Sequence, residues 1–148
     1  MNLTDKTLYN TTKSIVFGYN ARELELLSVE LMKVMDREGG IGLSANQVGL
    51  DISLFVTNVK GKYKAFYNPK IVEFSDNMIE IEEGCLSFPN EYHSIERPET
   101  VKVKYQDYLG NISVKTLEGM DCRVWLHEYD HLQGITFQQR KGMAYVKE

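Results

Sequence analysis

The 148-residue sequence predicts an α+β domain. Three observations carry this. Apolar residues recur at helical spacing soon after residue 20. Short segments that alternate apolar with polar residues crowd the middle of the chain. A second helical stretch, Trp125 to Gly134, follows them. The length suits one domain with a real core, and no repeat or low-complexity tract marks a second, so residues 1–148 are read as a single domain. A formal charge of −4 argues against a nucleic-acid reader, which would normally be basic. Two cysteines are too few for a disulfide scaffold. The start has no signal-peptide pattern and no apolar run reaches membrane-spanning length, so the expected setting is cytoplasmic, with no membrane partner.

Taken in order, residues 1–19 read as an arm with one strand over Ile15-Val16-Phe17. Asn20 and Glu23 suggest a capping box opening a helix whose stripe is Leu24, Leu27, Leu31, Val34 and Met35, stopped by Gly39-Gly40. Gly40 to Gly49 reads as a loop. Ile52 to Thr57 is a strand and Gly61-Lys62 a turn. Ala65 to Tyr67 and Ile71 to Phe74 are strand pieces around Pro69, which favours an edge or a bulge. Met78 to Glu82 alternates apolar with acidic residues, as a half-buried strand does. Val101, Val103 and Tyr105 form another strand. Asp107 to Asn111 turns, and Ile112, Val114 and Leu117 begin the return. Gly119 precedes the last helix and Gly134 fits just past its end.

That helix carries His127-Glu128-Tyr129-Asp130-His131. Residues four apart share a helix face, so His127 and His131 can offer two imidazoles to one ion. Glu128 lies about 100° round from His127, placed to take a proton from a water without ligating. A third protein ligand is usual in a catalytic site. The candidates are Cys85, Cys122, His93 and the carboxylates. Cys122 points about 140° away from His127 on the same helix and reads as core. His93 lies in a polar stretch and reads as exposed. Cys85 follows a glycine at the end of a strand, where a side chain can enter a cleft.

Three stretches together resemble the three motifs of the peptide deformylases: Gly40-Ile41-Gly42-Leu43-Ser44-Ala45-Asn46-Gln47, Glu83-Gly84-Cys85-Leu86-Ser87 and His127 to His131. The likeness covers most of residues 20–137. It implies an antiparallel-rich sheet wrapped around the motif-three helix, in a single catalytic domain. It implies one divalent ion on Cys85, His127 and His131, with Fe(II) the native choice and Zn, Ni or Co able to substitute. It makes Glu128 the acid/base, gives the oxyanion to Gln47 and the Leu86 N–H, and sets Gly42 beside the peptide. The implied reaction removes the formyl group from N-formylmethionyl peptides or nascent chains. Ile41, Ile81 and Val124 are the expected walls of a methionine pocket. Glu83 and Arg97 match positions near the cleft, where a pair would brace the Cys85 loop; a plain surface arginine ahead of Pro98 is an equal reading of Arg97.

The sequence departs from the family pattern at Ser44, where alanine is usual, at Leu126, where glutamine often stands, and at Gln139, in place of aspartate. The serine hydroxyl is expected not to touch the chemistry. The chain is read as a short form without the family's usual C-terminal helix. Its tail after Lys141 is expected to fray and to be dispensable for peptide hydrolysis. Any ribosome contact through Arg140, Lys141 and Lys147 would be weak and salt-sensitive. The competing function is a metallopeptidase, which shares His-Glu-x-x-His but leaves the Glu-Gly-Cys stretch unexplained. A binding module with a structural metal would need four protein ligands, including Cys122 or His93.

Overall fold

The computed structural model describes residues 1–147. Helix α1 spans Ala21–Arg37. It starts after Asn20 as expected, but the capping box does not form. The Asn20 side chain instead accepts from the Gly18 N–H and donates to the Val16 carbonyl, the local competition typical of asparagine. Leu24, Leu31, Val34 and Met35 are buried, and Leu27 partly so. The arm before it holds no strand at 15–17. Ile15 is buried while Val16 is 84% exposed, and a single parallel bridge joins Lys13 to Ile52.

After α1 comes a short strand, β1 (Gly42–Ser44), and a 3-10 turn over Ala45–Val48, where the sequence reads as plain loop. Strands β2 (Leu54–Val59) and β3 (Lys62–Phe74) form a hairpin. Lys60 and Gly61 both have positive φ, 54° and 79°, as a two-residue turn matched to strand twist requires. The two predicted pieces around Pro69 are one strand with a bulge: the register slips between Tyr67 and Lys70, and Asn68 has φ 48°. Strands β4 (Met78–Cys85), β5 (Phe88–Pro98), β6 (Thr100–Gln106) and β7 (Ile112–Glu118) follow. The helices α2 (Gly119–Leu132) and α3 (Phe137–Lys141) come last.

The strands make an antiparallel five-stranded sheet, β1-β2-β3-β6-β7, and a separate β4-β5 ribbon. Strand β2 is covered on both faces at its start, where Leu54, Phe55 and Val56 are all apolar and buried. Leu54 and Val56 pack with α1, whereas Phe55 packs with Trp125 and Leu126 of α2. Trp125 meets Phe55 edge-on at 5.4 Å between ring centroids and stacks on Tyr129 at 5.1 Å. Leu126, one of the departures from the family pattern, is fully buried in this cluster. Apolar packing of this kind is worth about 3–5 kcal/mol for a tryptophan, and it fixes α2 against the sheet.

Two expectations need correction. Strand β4 is not half-buried in the predicted sense: Ile79 and Ile81 are 40% and 39% exposed, and its one fully buried side chain is Glu83. The ribbon forms a sheet of its own, in which Ile95 of β5 is buried while Ile79 and Ile81 of β4 stay partly exposed. The tail, too, is docked. The Tyr145 ring packs edge-on against Phe74 at 5.5 Å and lies 4.2 Å beneath the Arg140 guanidinium. Lys147 reaches Asp76 at 2.6 Å. Gln139 caps α3, accepting from the Thr136 N–H at 2.8 Å.

Candidate active site

Helix α2 places His127 and His131 one turn apart, as the spacing predicts, with their Nε2 atoms 3.2 Å from each other. The bulged end of the ribbon brings Cys85 to the same point, its Sγ 3.3 Å from His131 Nε2. Among the described residues these three make a group able to hold an ion, with all donor atoms within 4.8 Å of one another. Tetrahedral coordination by imidazoles and a thiolate separates donors by about 3.3–3.6 Å, so the set fits a divalent ion with little adjustment. Cys122 is not part of it. It is buried, with Sγ 3.5 Å from the Pro98 carbonyl oxygen. Nor is His93, which pairs with Glu91 at 2.7 Å and is half-buried rather than exposed.

Glu83 sits behind His127. Its Oε1 is 2.8 Å from His127 Nδ1, and it takes a two-pronged grip from Arg97 at 2.6 and 3.0 Å. Arg123 adds a third contact at 2.8 Å. Burial disfavours the Glu83 charge, but the hydrogen bonds from His127 and Arg97 outweigh it and hold the carboxyl well below the usual carboxylate range. An ionised carboxylate only accepts, so His127 carries a proton on Nδ1 and turns Nε2 toward the donor cluster. Arg97, equally readable from sequence as a surface arginine, is fully buried and also bonds Asp130 at 2.8 Å. Arg123 further donates to the carbonyls of Ile79 and Ile95, tying α2 to both ribbon strands.

Glu128 is 4% exposed, and its Oε1 has no hydrogen-bond partner among the described residues. Burial pushes its carboxyl up to about 7, with His127 opposing. A Cβ on Gly42 would lie 2.6 Å from the Glu128 Oε2, so glycine there is a matter of space. Gln47 accepts at Oε1 from the Ser44 N–H and hydroxyl, each at 3.0 Å, which turns its Nε2 toward Ser87 Oγ at 2.9 Å and Cys85 Sγ at 3.7 Å. The Ser44 hydroxyl therefore does engage a site residue, contrary to expectation, because the 3-10 turn folds Gln47 back over it.

These elements meet at one cleft of about 620 Å³. Ile41, Gly42, Gln47, Ile81, Cys85, Leu86, Val124, His127 and Glu128 line it, while His131 lies behind, 1% exposed. Ile41 is half exposed on the rim and Val124 is buried in the wall. Phe88, Tyr92 and Met120 also line the cleft. Sequence reading missed Phe88 and Tyr92 because β5 carries no clear alternation, whereas Met120 is the second residue of α2. It also missed Asn46, whose amide donates to the His131 carbonyl, and Arg123 and Asp130. The last two lie at i−4 and i+3 from His127, a helical phase that could have marked them.

A family model described as polypeptide deformylase matches residues 1–144. The chain belongs to the polypeptide deformylase family. The chain is 44% identical over 126 residues to a protein of Oryza sativa subsp. japonica named peptide deformylase 1B, chloroplastic, covering 81% of this chain and 46% of that one. To a peptide deformylase of Treponema pallidum it is 43% identical over 110 residues, covering 74% and 68%. The match to the first relatives thus spans less than half of their length. The crystal structure of a peptide deformylase from Thermotoga maritima superposes with a TM-score of 0.88 at 36% identity, over 92% of this chain and 91% of that one. One from Synechococcus elongatus, in complex with actinonin, gives 0.87 at 34%, over 94% and 75%. The expected fold, an antiparallel-rich α+β domain around the motif-three helix, is therefore that of the family. The family is metal-dependent, and the three-donor group is the feature of this chain that could serve it. No described helix is long and apolar enough to cross a membrane.

Proposed function

We propose that the protein hydrolyses the N-formyl group of N-formylmethionyl peptides and nascent chains, releasing formate. The observation that carries the reading is the convergence of Cys85, His127 and His131 beside Glu128 in one cleft, in a chain of this family. Cys85, His127 and His131 hold the ion. A thiolate with two imidazoles suits Fe(II), Zn, Co or Ni, and Fe(II) is our choice for the native metal. The bound ion supplies Lewis acidity and brings the pKa of a water toward neutrality.

Glu128 takes the proton of the attacking water, whose oxygen bonds to the formyl carbon. The same carboxyl hands that proton to the departing amine nitrogen as the C–N bond breaks. Gln47 Nε2 and the Leu86 N–H face the oxygen where negative charge develops, and donors fixed in advance are where most of the rate arises. Ile41, Ile81 and Val124 wall the methionine side chain, and Gly42 lets the peptide pass close to the backbone. Residues 1–148 act as one catalytic domain. Both cysteines are free thiols, in keeping with a reducing cytoplasmic setting. A ribosome contact through the tail would be weak, since Arg140 is committed to Asp130 and Lys147 to Asp76.

The test is formate release from formyl-Met-Ala-Ser, with unformylated Met-Ala-Ser alongside. Formate from the first and no peptide-bond cleavage in either is expected. Cleavage of the unformylated peptide would instead support the metallopeptidase, which the cysteine donor and the family assignment do not favour.

A further inference from the structure

We propose that Tyr145 is a positioning residue for His127, acting through Arg97 and Glu83. The inference rests on the reading of His127 as a metal ligand. Tyr145 lies in the segment that follows α3, 18 positions from His127 in sequence, and nothing in the three motifs points to it.

The path is a continuous set of short polar contacts. Arg97 Nη1 donates to Tyr145 Oη at 2.8 Å. Arg97 Nε and Nη2 donate to the two oxygens of Glu83. Glu83 Oε1 accepts from His127 Nδ1 at 2.8 Å. A guanidinium is a rigid planar fork. Its orientation about the Glu83 carboxylate is set by what holds its far end, and that end is shared between Asp130 and Tyr145. Arg97 is fully buried, so no solvent offers a substitute acceptor.

Tyr145 is itself held in place. Its ring packs on Phe74 from β3 and under the guanidinium of Arg140, which grips both oxygens of Asp130 at 2.9 and 2.8 Å. The segment thereby bolts the far end of the Arg97 fork to the large sheet, while the near end orients a ligand on α2. A hydroxyl at this point does more than anchor a chain terminus. A phenylalanine would keep the ring packing and leave one Arg97 N–H short of an acceptor.

The experiment compares wild type, Tyr145→Phe and a chain ending at Lys141, with Tyr63→Phe as a control that removes a surface hydroxyl bond to Asp36. Zinc affinity is read by competition with a chromogenic chelator, and the His127 Nδ1–H by NMR of the metal-free protein. Turnover is read on formyl-Met-Ala-Ser. Partners behind a metal-ligating histidine change affinity by about 10- to 100-fold, and Tyr145 stands one residue further out. Tyr145→Phe is expected to weaken zinc binding by about threefold to tenfold and to shift the His127 signal. It should lower kcat with KM little changed, and leave the melting temperature of the metal-free protein near that of wild type. The shortened chain should show the same changes, larger. Equal zinc affinity and an unmoved His127 signal in Tyr145→Phe would overturn the proposal. A wild-type chain that takes up no stoichiometric zinc would instead overturn the metal reading beneath it.

Discussion

Single side chains decide the chemistry of this site, and the two cysteines make the point. Cys85 stands at the cleft beside two imidazoles, whereas Cys122 is sealed in the core, where burial pushes its thiol up to about 11. Cys85→Ala should abolish stoichiometric metal and Cys122→Ala retain it, as elemental analysis of the purified proteins would show. Alkylation of the metal-free protein at pH 8 should label Cys85 and spare Cys122; the reverse pattern by mass spectrometry would refute the assignment. Glu128 poses a different test. Below pH about 4.5 its carboxyl is protonated in folded and unfolded chains alike. Between there and about 7 the unfolded chain releases the proton and the folded one keeps it. Folding stability contributed by this group is therefore full at low pH, falls as pH rises through that window, and stays lost above it. Metal-free Glu128→Gln should exceed metal-free wild type in stability at pH 8 by on the order of 3 kcal/mol, with little difference near pH 4.5. Denaturant unfolding at both pH values measures this. With metal bound, the same substitution should cost about 10² to 10⁴ in turnover.

At the scale of elements, the site is a meeting of three pieces: β1 with its 3-10 turn, the end of the β4-β5 ribbon, and α2. Their close approach depends on Gly42, because a methyl group there would press on the Glu128 carboxylate. Gly42→Ala should leave metal content intact and lower kcat by about tenfold or more if Glu128 is the acid/base proposed, since misplacing such a group by about 1 Å is costly. A variant with normal kcat and a raised KM would assign Gly42 to peptide passage alone. The motif-three helix was legible from i,i+4 spacing, and so was a β2-β3 turn, although it falls on Lys60-Gly61, one residue earlier than Gly61-Lys62. The ribbon was not. Alternation in Met78 to Glu82 reads as an apolar face turned inward, yet the buried position is Glu83. Its charge is tolerated there because two guanidinium groups and an imidazole surround it.

Across the whole molecule, an ion on Cys85, His127 and His131 would join the ribbon to α2, elements 42 residues apart between Cys85 and His127. Removing it should loosen that junction. Chelation should lower the melting temperature by about 5–10 °C, the effect of losing a ligand held at roughly 100 times its dissociation constant from a chain of this size. An unchanged melting curve, with metal removal verified, would mean that the junction stands on Arg123 and the Glu83 array alone. The sequence by itself determined the two imidazoles on one helix face, the neighbouring carboxylate, the α+β class and, by resemblance, the third donor. These follow from local periodicity and from motifs whose residue types are the chemistry. Only the tertiary structure decided which strands pair, that Arg97 is buried rather than exposed, that the Ser44 hydroxyl holds Gln47, and that the tail docks through Tyr145. Each of these depends on partners dozens of residues away, and a buried ion or hydroxyl reveals its role only when the groups that satisfy it are in place.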